Sequence, residues 1–184
     1  MSQSNVSRVK KIVLAGIFLA LLIVLSRFLS IKTPILKISF AYVPVYLAGI
    51  ILGPTFSTII EGLGDLVGAT LFPMGPFFIG YTISAVINGF IYGALLHKRF
   101  KADISDKNFI IRLVIASFLQ LILIDGILNT IWISITGGKS FWVLVPVRMT
   151  KELIMIPIQV ISIFLLEKAL RPAINRFLKD KEND

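Results

Sequence analysis

FIIRLVIASFLQLILIDGILNTIWISIT, residues 109–136, sets the class of this protein. Its 28 residues hold two charges, Arg112 and Asp125. As an α-helix it would extend about 42 Å, beyond the roughly 30 Å hydrocarbon core of a bilayer. Comparable apolar runs recur along the chain, so the apolar excess is not a fat core. Of 184 residues, 56% are apolar and 16% charged, with a mean hydropathy of +0.88. Soluble domains carry about 45–50% and about 25%. These numbers exclude a soluble globular domain, a disordered chain and a basic nucleic-acid binder. Six spans of about 20 residues leave roughly sixty for every loop and tail, too few for a soluble catalytic domain.

Working outward, turn signals divide the rest. Gly53-Pro54 closes one apolar segment, and Phe72-Pro73-Met74-Gly75-Pro76 ends another. The spans predicted are residues 10–29, 41–53, 55–71, 77–97, 109–136 and 146–168, followed by a basic tail, 169–184. The expectation is a single all-α membrane domain, a six-transmembrane-helix bundle. The basic start and apolar run at 8–25 resemble a signal peptide, but Ser26, Arg27 and Phe28 offer no small-x-small cleavage site, so a retained first helix is expected. The apolar part of the second span, 42–52, is only about 17 Å long as a helix. Residues 30–40 read as a polar, Pro-containing loop.

The net charge of +9 sorts by loop. The N-terminal segment, the loop after the fourth span with Arg112 beside it, and the tail hold 13 of the 19 Lys and Arg residues. Arg27, Lys32, Lys37, Lys139, Arg148 and Lys151 fall on the other side. The positive-inside rule then places both termini in the cytoplasm, and anionic inner-leaflet lipid accounts for the basic pI without nucleic acid.

An ionisable residue within a span costs about 2.5–3.5 kcal/mol on insertion scales, so each asks for a reason. Glu61 and Asp65 lie four apart on the third helix. Asp125, Asn129 and Trp132 share one face of the fifth. Arg27, Arg148 and Lys151 mark the outer ends of the first and sixth. Phe72, Phe77, Phe78, Tyr81, Trp132, Phe141 and Trp142 cluster at the same level, and together these residues predict a polar cavity open to the outside. Plainer readings stand beside it: interfacial anchoring for Arg27, Lys151 and Trp142, an i,i+4 pair for Arg148 and Glu152, and bracing of neighbouring helices for Asp65. Small residues four apart, Gly64/Gly68 and Ala85/Gly89/Gly93, predict close helix packing, whereas Gly16/Ala20 is also suited to meeting another protein.

The absence of cysteine excludes thiolate chemistry, and His97 alone builds no zinc site. Gly137-Gly138-Lys139-Ser140 copies the end of a phosphate loop but lacks its first glycine and its strand–helix setting. No nucleotidase is visible, so the chain has no means of powering transport alone.

RFLSIKTPILKISFAYVP (27–44), GPTFSTIIEGLGDLVGATLFPMGPFFIGYTISA (53–85), LNTIWISI (128–135) and VPVRMTKELIMIPIQ (145–159) resemble the substrate-binding S components of energy-coupling factor (ECF) vitamin transporters, and within them the folate-specific branch. GDLVG marks the superfamily; LNTIW and PVR carry the folate resemblance. The resemblance implies a bundle in a bacterial plasma membrane that captures folate at its outer face under a lid of outer loops. It further implies a membrane T component and two cytoplasmic ATPases, which use the ATP; no cofactor is expected in this chain. The family docks through Ala-xxx-Ala on the first helix, for which Gly16-xxx-Ala20 is the nearest match.

A folate-like ligand suits the residues. Asp65, Asn129 and Trp132 are candidates for the pterin, with Phe77 and Tyr81 walling the rings. Arg27 and Arg148 suit the glutamate carboxylates, and Lys32 or Lys37 suits closure over them. Other vitamins, riboflavin or thiamine, are the nearest rivals; cationic thiamine would want acidic walls, whereas the outer side shows an excess of Arg and Lys. An intramembrane enzyme using Glu61, Asp65 and Asp125 lacks a nucleophile with a positioned base, so no enzymatic activity is expected.

Overall fold

The computed structural model describes residues 3–32, 37–75, 77–97 and 105–179, with side chains for 8–31, 38–75, 77–97 and 105–173. Helix α1 (Gln3–Ile23) runs into a π-helical turn, Val24–Phe28, and then a hairpin of β1 (Ser30–Lys32) and β2 (Lys37–Ser39). Helices α2 (Tyr42–Ile51), α3 (Pro54–Leu71) and α4 (Ile79–Leu96) follow. Asp106–Leu119, a π-helical stretch Gln120–Leu128, and Asn129–Gly137 run head to tail as one helix, α5, and α6 is Phe141–Lys179. The described residues thus form six helices, traversed up and down. One end carries the termini and the α4–α5 connection; the other carries the hairpin and the α3–α4 and α5–α6 turns.

The 30–40 segment is not a simple loop. Ser30, Ile31 and Lys32 pair antiparallel with Ser39, Ile38 and Lys37. Ser30 Oγ donates to Ser26 O and Ser39 Oγ to Leu25 O, each at 2.8 Å, so the hairpin satisfies carbonyls that the end of a helix leaves open. The sixth helix also begins earlier than residue 146. Gly138 adopts a left-handed φ of 64°, which ends α5 and reverses the chain. The Ser140 carbonyl then accepts from Val143 N and Leu144 N, which starts α6 with Pro146 already inside it. At the far end the helix continues through the first part of the expected tail, to Lys179, because Arg171 bridges Glu167 and Asp106 and fastens α6 to α5. Residues 180–184 lie outside the described set.

Four stretches, Arg8–Phe28, Ile79–Leu96, Asp106–Gly137 and Phe141–Ala173, are long and apolar enough to cross a membrane. Helix α2 is too short, with 10 residues, and it lies inside the bundle, buried from Pro44 to Ile50. Helix α3 has the length, 18 residues, but carries Glu61 and Asp65. Ile17, Leu21, Ile115, Phe118, Ile154 and Ile161 are exposed on the outer helix faces, an apolar exterior that suits lipid rather than water.

The end nearer the termini is close-packed. Tyr46, Tyr92, Leu96, Phe109, Leu113 and Ile163 are fully buried there. Helices α3 and α4 cross at Gly89 and Gly93: a Cβ on Gly93 would sit 2.2 Å from Pro54 Cα, and one on Gly89 2.5 Å from Ser57 O. The small-residue spacing on α4 is therefore internal packing, as expected.

Candidate functional site

At the hairpin end the helices part around a cavity of about 910 Å³, near the top of the roughly 300–1,000 Å³ range of small-molecule sites. All six helices and the hairpin contribute to its wall. Two arginine–aspartate pairs brace it. Arg27, at the end of α1, donates through Nη2 to Asp65 O (3.2 Å) and Asp65 Oδ1 (3.3 Å), while Thr82 Oγ1 donates to Asp65 Oδ2 at 2.8 Å. Gly68 makes room for this, since a Cβ there would lie 2.4 Å from Arg27 Nε.

The second pair depends on the π-helical stretch. A π-helix repeats i to i+5 rather than i to i+4. Gln120 Nε2 donates to Asp125 Oδ2 (3.2 Å) and Thr130 Oγ1 to Asp125 O (2.6 Å), both at a spacing of five. Arg148, 7% exposed on α6, donates through Nη2 to Asp125 Oδ1 (3.2 Å) and through Nε to Thr130 Oγ1 (3.1 Å). Asn129 Nδ2 adds a bond to Asp125 Oδ1 at 3.3 Å. On the same wall Lys151 pairs with Glu152.

Of the residues expected from sequence, Arg27, Asp65, Phe77, Tyr81, Asn129 and Arg148 line the cavity. Trp132 does not. Its Nε1 donates to Ser84 Oγ at 3.0 Å, and its ring packs on Phe78 with centroids 5.5 Å apart, held against Gly80. An α-helical reading put it on the Asp125 face; the π-helical stretch changes the register, and the indole supports the wall from behind. The Lys37 side chain and Lys32 side chain lie outside those described. Trp142 is 79% exposed and stacks edge-on to Phe141, away from the cavity, as an interfacial anchor would.

Sequence reasoning left Asn88, Gln120 and Gln159 out of the site, though all three line it. Each is a lone amide in an apolar run, and such polar residues turn to the bundle interior. Glu61 stood out as an intramembrane charge but received no role in binding. The wall also differs in charge from expectation. Arg27, Arg148 and Lys151 face Glu61, Asp65, Asp125 and Glu152, so among the described residues carboxylates outnumber cations. The outer excess of Arg and Lys does not carry into the cavity, because the aspartates answer the arginines there. It therefore gives no argument against a cationic ligand.

Among the described residues, four buried side-chain polar atoms lack a hydrogen-bond partner: Arg27 Nε, Glu61 Oε2, Asn88 Oδ1 and Asn129 Oδ1. All four belong to residues of the cavity wall. A buried polar atom without a partner costs about 1–3 kcal/mol, so these enclosed atoms make the wall of the cavity a costly, polar part of the bundle interior.

Residues 10–167 match the family model of the ECF transporter, substrate-specific component. The chain belongs to that family. Its members are substrate-binding components of transporters, not enzymes. Two relatives are named folate transporter FolT. One, from Clostridium novyi (strain NT), is 36% identical over 157 residues, covering 85% of this chain and 87% of the relative. The other, from Leuconostoc mesenteroides, is 37% identical over 163 residues, covering 85% and 84%. A crystal structure of FolT bound with folic acid superposes with a TM-score of 0.77 at 34% identity, covering 87% of this chain and 93% of that one.

Proposed function

We propose that this S component captures folate in the cavity at the hairpin end and delivers it inward with a T component and two ATPases. The observation that carries the reading is the joint likeness, over most of the chain, to two folate transporters and to FolT bound with folic acid. The cavity supports it physically, with aromatic walls from Phe77, Phe78 and Tyr81, a volume suited to a vitamin, and polar side chains among the apolar ones.

Within that reading, Arg27 takes the glutamate carboxylates. It stands on the cavity wall at the hairpin end, whereas Arg148 has Nε and Nη2 committed to Thr130 and Asp125 and acts as a brace. Phe77, at the rim and half exposed, and Tyr81 flank the benzoyl ring. Lys37 closes over the tail from the hairpin.

The proposed setting is a bacterial plasma membrane, spanned several times with both termini cytoplasmic, as the distribution of Lys and Arg favours. ATP is used by the partner ATPases, with no cofactor in this chain and no nucleic acid bound. Gly16 and Ala20 are exposed on α1, with nothing within 4 Å of a Cβ at Gly16, so this strip admits close approach of a T-component helix.

Calorimetric titration of the detergent-purified chain with folic acid, with thiamine and riboflavin alongside, tests the ligand. Stoichiometric binding of folic acid and release of it unchanged is the expected result. Selective binding of another vitamin rejects the folate assignment and leaves the family intact. Reconstitution into liposomes with the T component and ATPases tests the partners: folate uptake is expected only when all are present with ATP.

A further inference from the structure

We infer that the hairpin of β1 and β2 is seated in lipid: its polar face closes on the end of α1 and the cavity rim, and its apolar face rests in the headgroup–acyl boundary of the leaflet at that end. The inference is independent of which ligand the cavity takes.

The hairpin is two-faced. Residues directly opposite in an antiparallel pair share a face, and neighbours along a strand alternate. Ser30 opposite Ser39 and Ile31 opposite Ile38 therefore fall on different faces. The serine face turns to the protein. Both hydroxyls donate to carbonyls at the end of α1, those of Ser26 and Leu25, and Ser39 lines the cavity. The isoleucine face turns away, with Ile31 71% and Ile38 44% exposed. Leu29 and Phe40, the next residues of the same parity, are exposed as well. In a sheet that borders water the apolar face packs inward and the polar face looks out. Here the order is reversed, so the medium outside is the apolar one.

Position identifies that medium. The apolar stretch Arg8–Phe28 has 21 residues and so extends about 31 Å, the thickness of the hydrocarbon core. The hairpin starts two residues beyond it, in the interfacial layer. Phe28 meets Phe72 with ring centroids 5.1 Å apart, and both are exposed, as is Leu71. The lipid-facing exterior of α1 and α3 thus runs up to the foot of the hairpin. A two-stranded ribbon also leaves two edges of unpaired N–H and C=O groups. The hydrocarbon core does not tolerate them, whereas the hydrated headgroup layer does. Both limits put the ribbon at the boundary, lying there as an amphipathic interfacial element does. Lifting it from the rim would draw Leu29, Ile31, Ile38 and Phe40 out of lipid into water, so the bilayer favours the seated position.

The chain has no cysteine, so a nitroxide label can be placed at one site at a time. Labels go on Ile31→Cys and Ile38→Cys, with Ile17→Cys in the middle of α1 as the lipid reference and Lys139→Cys in the α5–α6 turn as the water reference. Each variant, checked for folding by thermal melting, is placed in liposomes of phosphatidylcholine and phosphatidylglycerol. Collision of the label with oxygen, which concentrates in lipid, is compared with collision with a water-soluble nickel chelate. The oxygen-to-nickel ratio at 31 and 38 should exceed that at 139 by about threefold or more and stay below that at 17. Ratios at 31 and 38 equal to that at 139 would overturn the inference. A ratio that rises only when the T component and ATPases are present would assign the face to a protein partner, and dipolar broadening between labels at 31 would assign it to a second copy. Either result rejects lipid as the occupant.

Discussion

The two ends of this bundle treat their polar groups in opposite ways. Near the termini, Glu167 is fully buried yet bonded twice by Arg171, which also reaches Asp106. Tyr46 OH shares a 2.8 Å bond with Ser117 Oγ, and glycines bring α3 and α4 into backbone contact. At the hairpin end the ion pairs are equally complete, but among the described residues four enclosed polar atoms of the cavity wall lack a partner. A membrane interior penalises both arrangements when polar atoms go unanswered. The difference therefore separates a half that closes on itself from a half that surrounds a cavity.

Substitutions break this contrast to different degrees. Asp125→Ala should have the largest effect, since it removes the carboxylate that pairs with the buried Arg148 and accepts from Gln120 and Asn129 together. Losing one partner of a buried pair costs about 3–5 kcal/mol, so the melting temperature should fall sharply and folic acid binding with it. A melting curve like wild type would mean that the pair is not a brace. Gly93→Leu attacks the other end, driving a side chain into Pro54 and Ser57; overpacking of this kind costs up to about 3 kcal/mol. The variant should melt early, with folate binding retained at temperatures where it is folded.

Arg27→Ala sharpens the comparison inside the cavity. It should weaken folic acid about tenfold or more but leave the ring-only pterin nearly unchanged, as expected for a charge-assisted contact to the tail. Arg148→Ala should instead weaken both alike, and a selective loss of the tailed ligand there would exchange the two roles. The smallest effect on ligand belongs to Gly16→Leu. Folic acid titrations should be unaltered, while co-purification with the T component declines; an undiminished complex would show that this strip is not the docking face.

Much of the plan is legible in the sequence because membrane burial makes polar residues conspicuous. Arg27, Asp65, Tyr81, Asn129 and Arg148 stand out from apolar surroundings, and all five line the cavity. The six helices follow from apolar runs and Gly/Pro punctuation. What is lost is local geometry that composition does not encode. Nothing in QLILIDGIL announces a π-helix, and without it Trp132 falls on the wrong face. The three-residue turn at Gly138 depends on one left-handed residue, so a reading of the chain alone starts the sixth helix at Pro146. Arg148 looks available for a carboxylate until Asp125, 23 residues away, is seen beside it. Sequence reveals which residues are costly; only the fold tells which are already compensated.

A crystal structure of this chain with folic acid would test the central claim most directly. The account predicts folic acid inside the cavity, with its rings against Phe77, Phe78 and Tyr81 and its glutamate carboxylates near Arg27. Folic acid lying outside the cavity, or lying in it with its carboxylates away from Arg27, would contradict it.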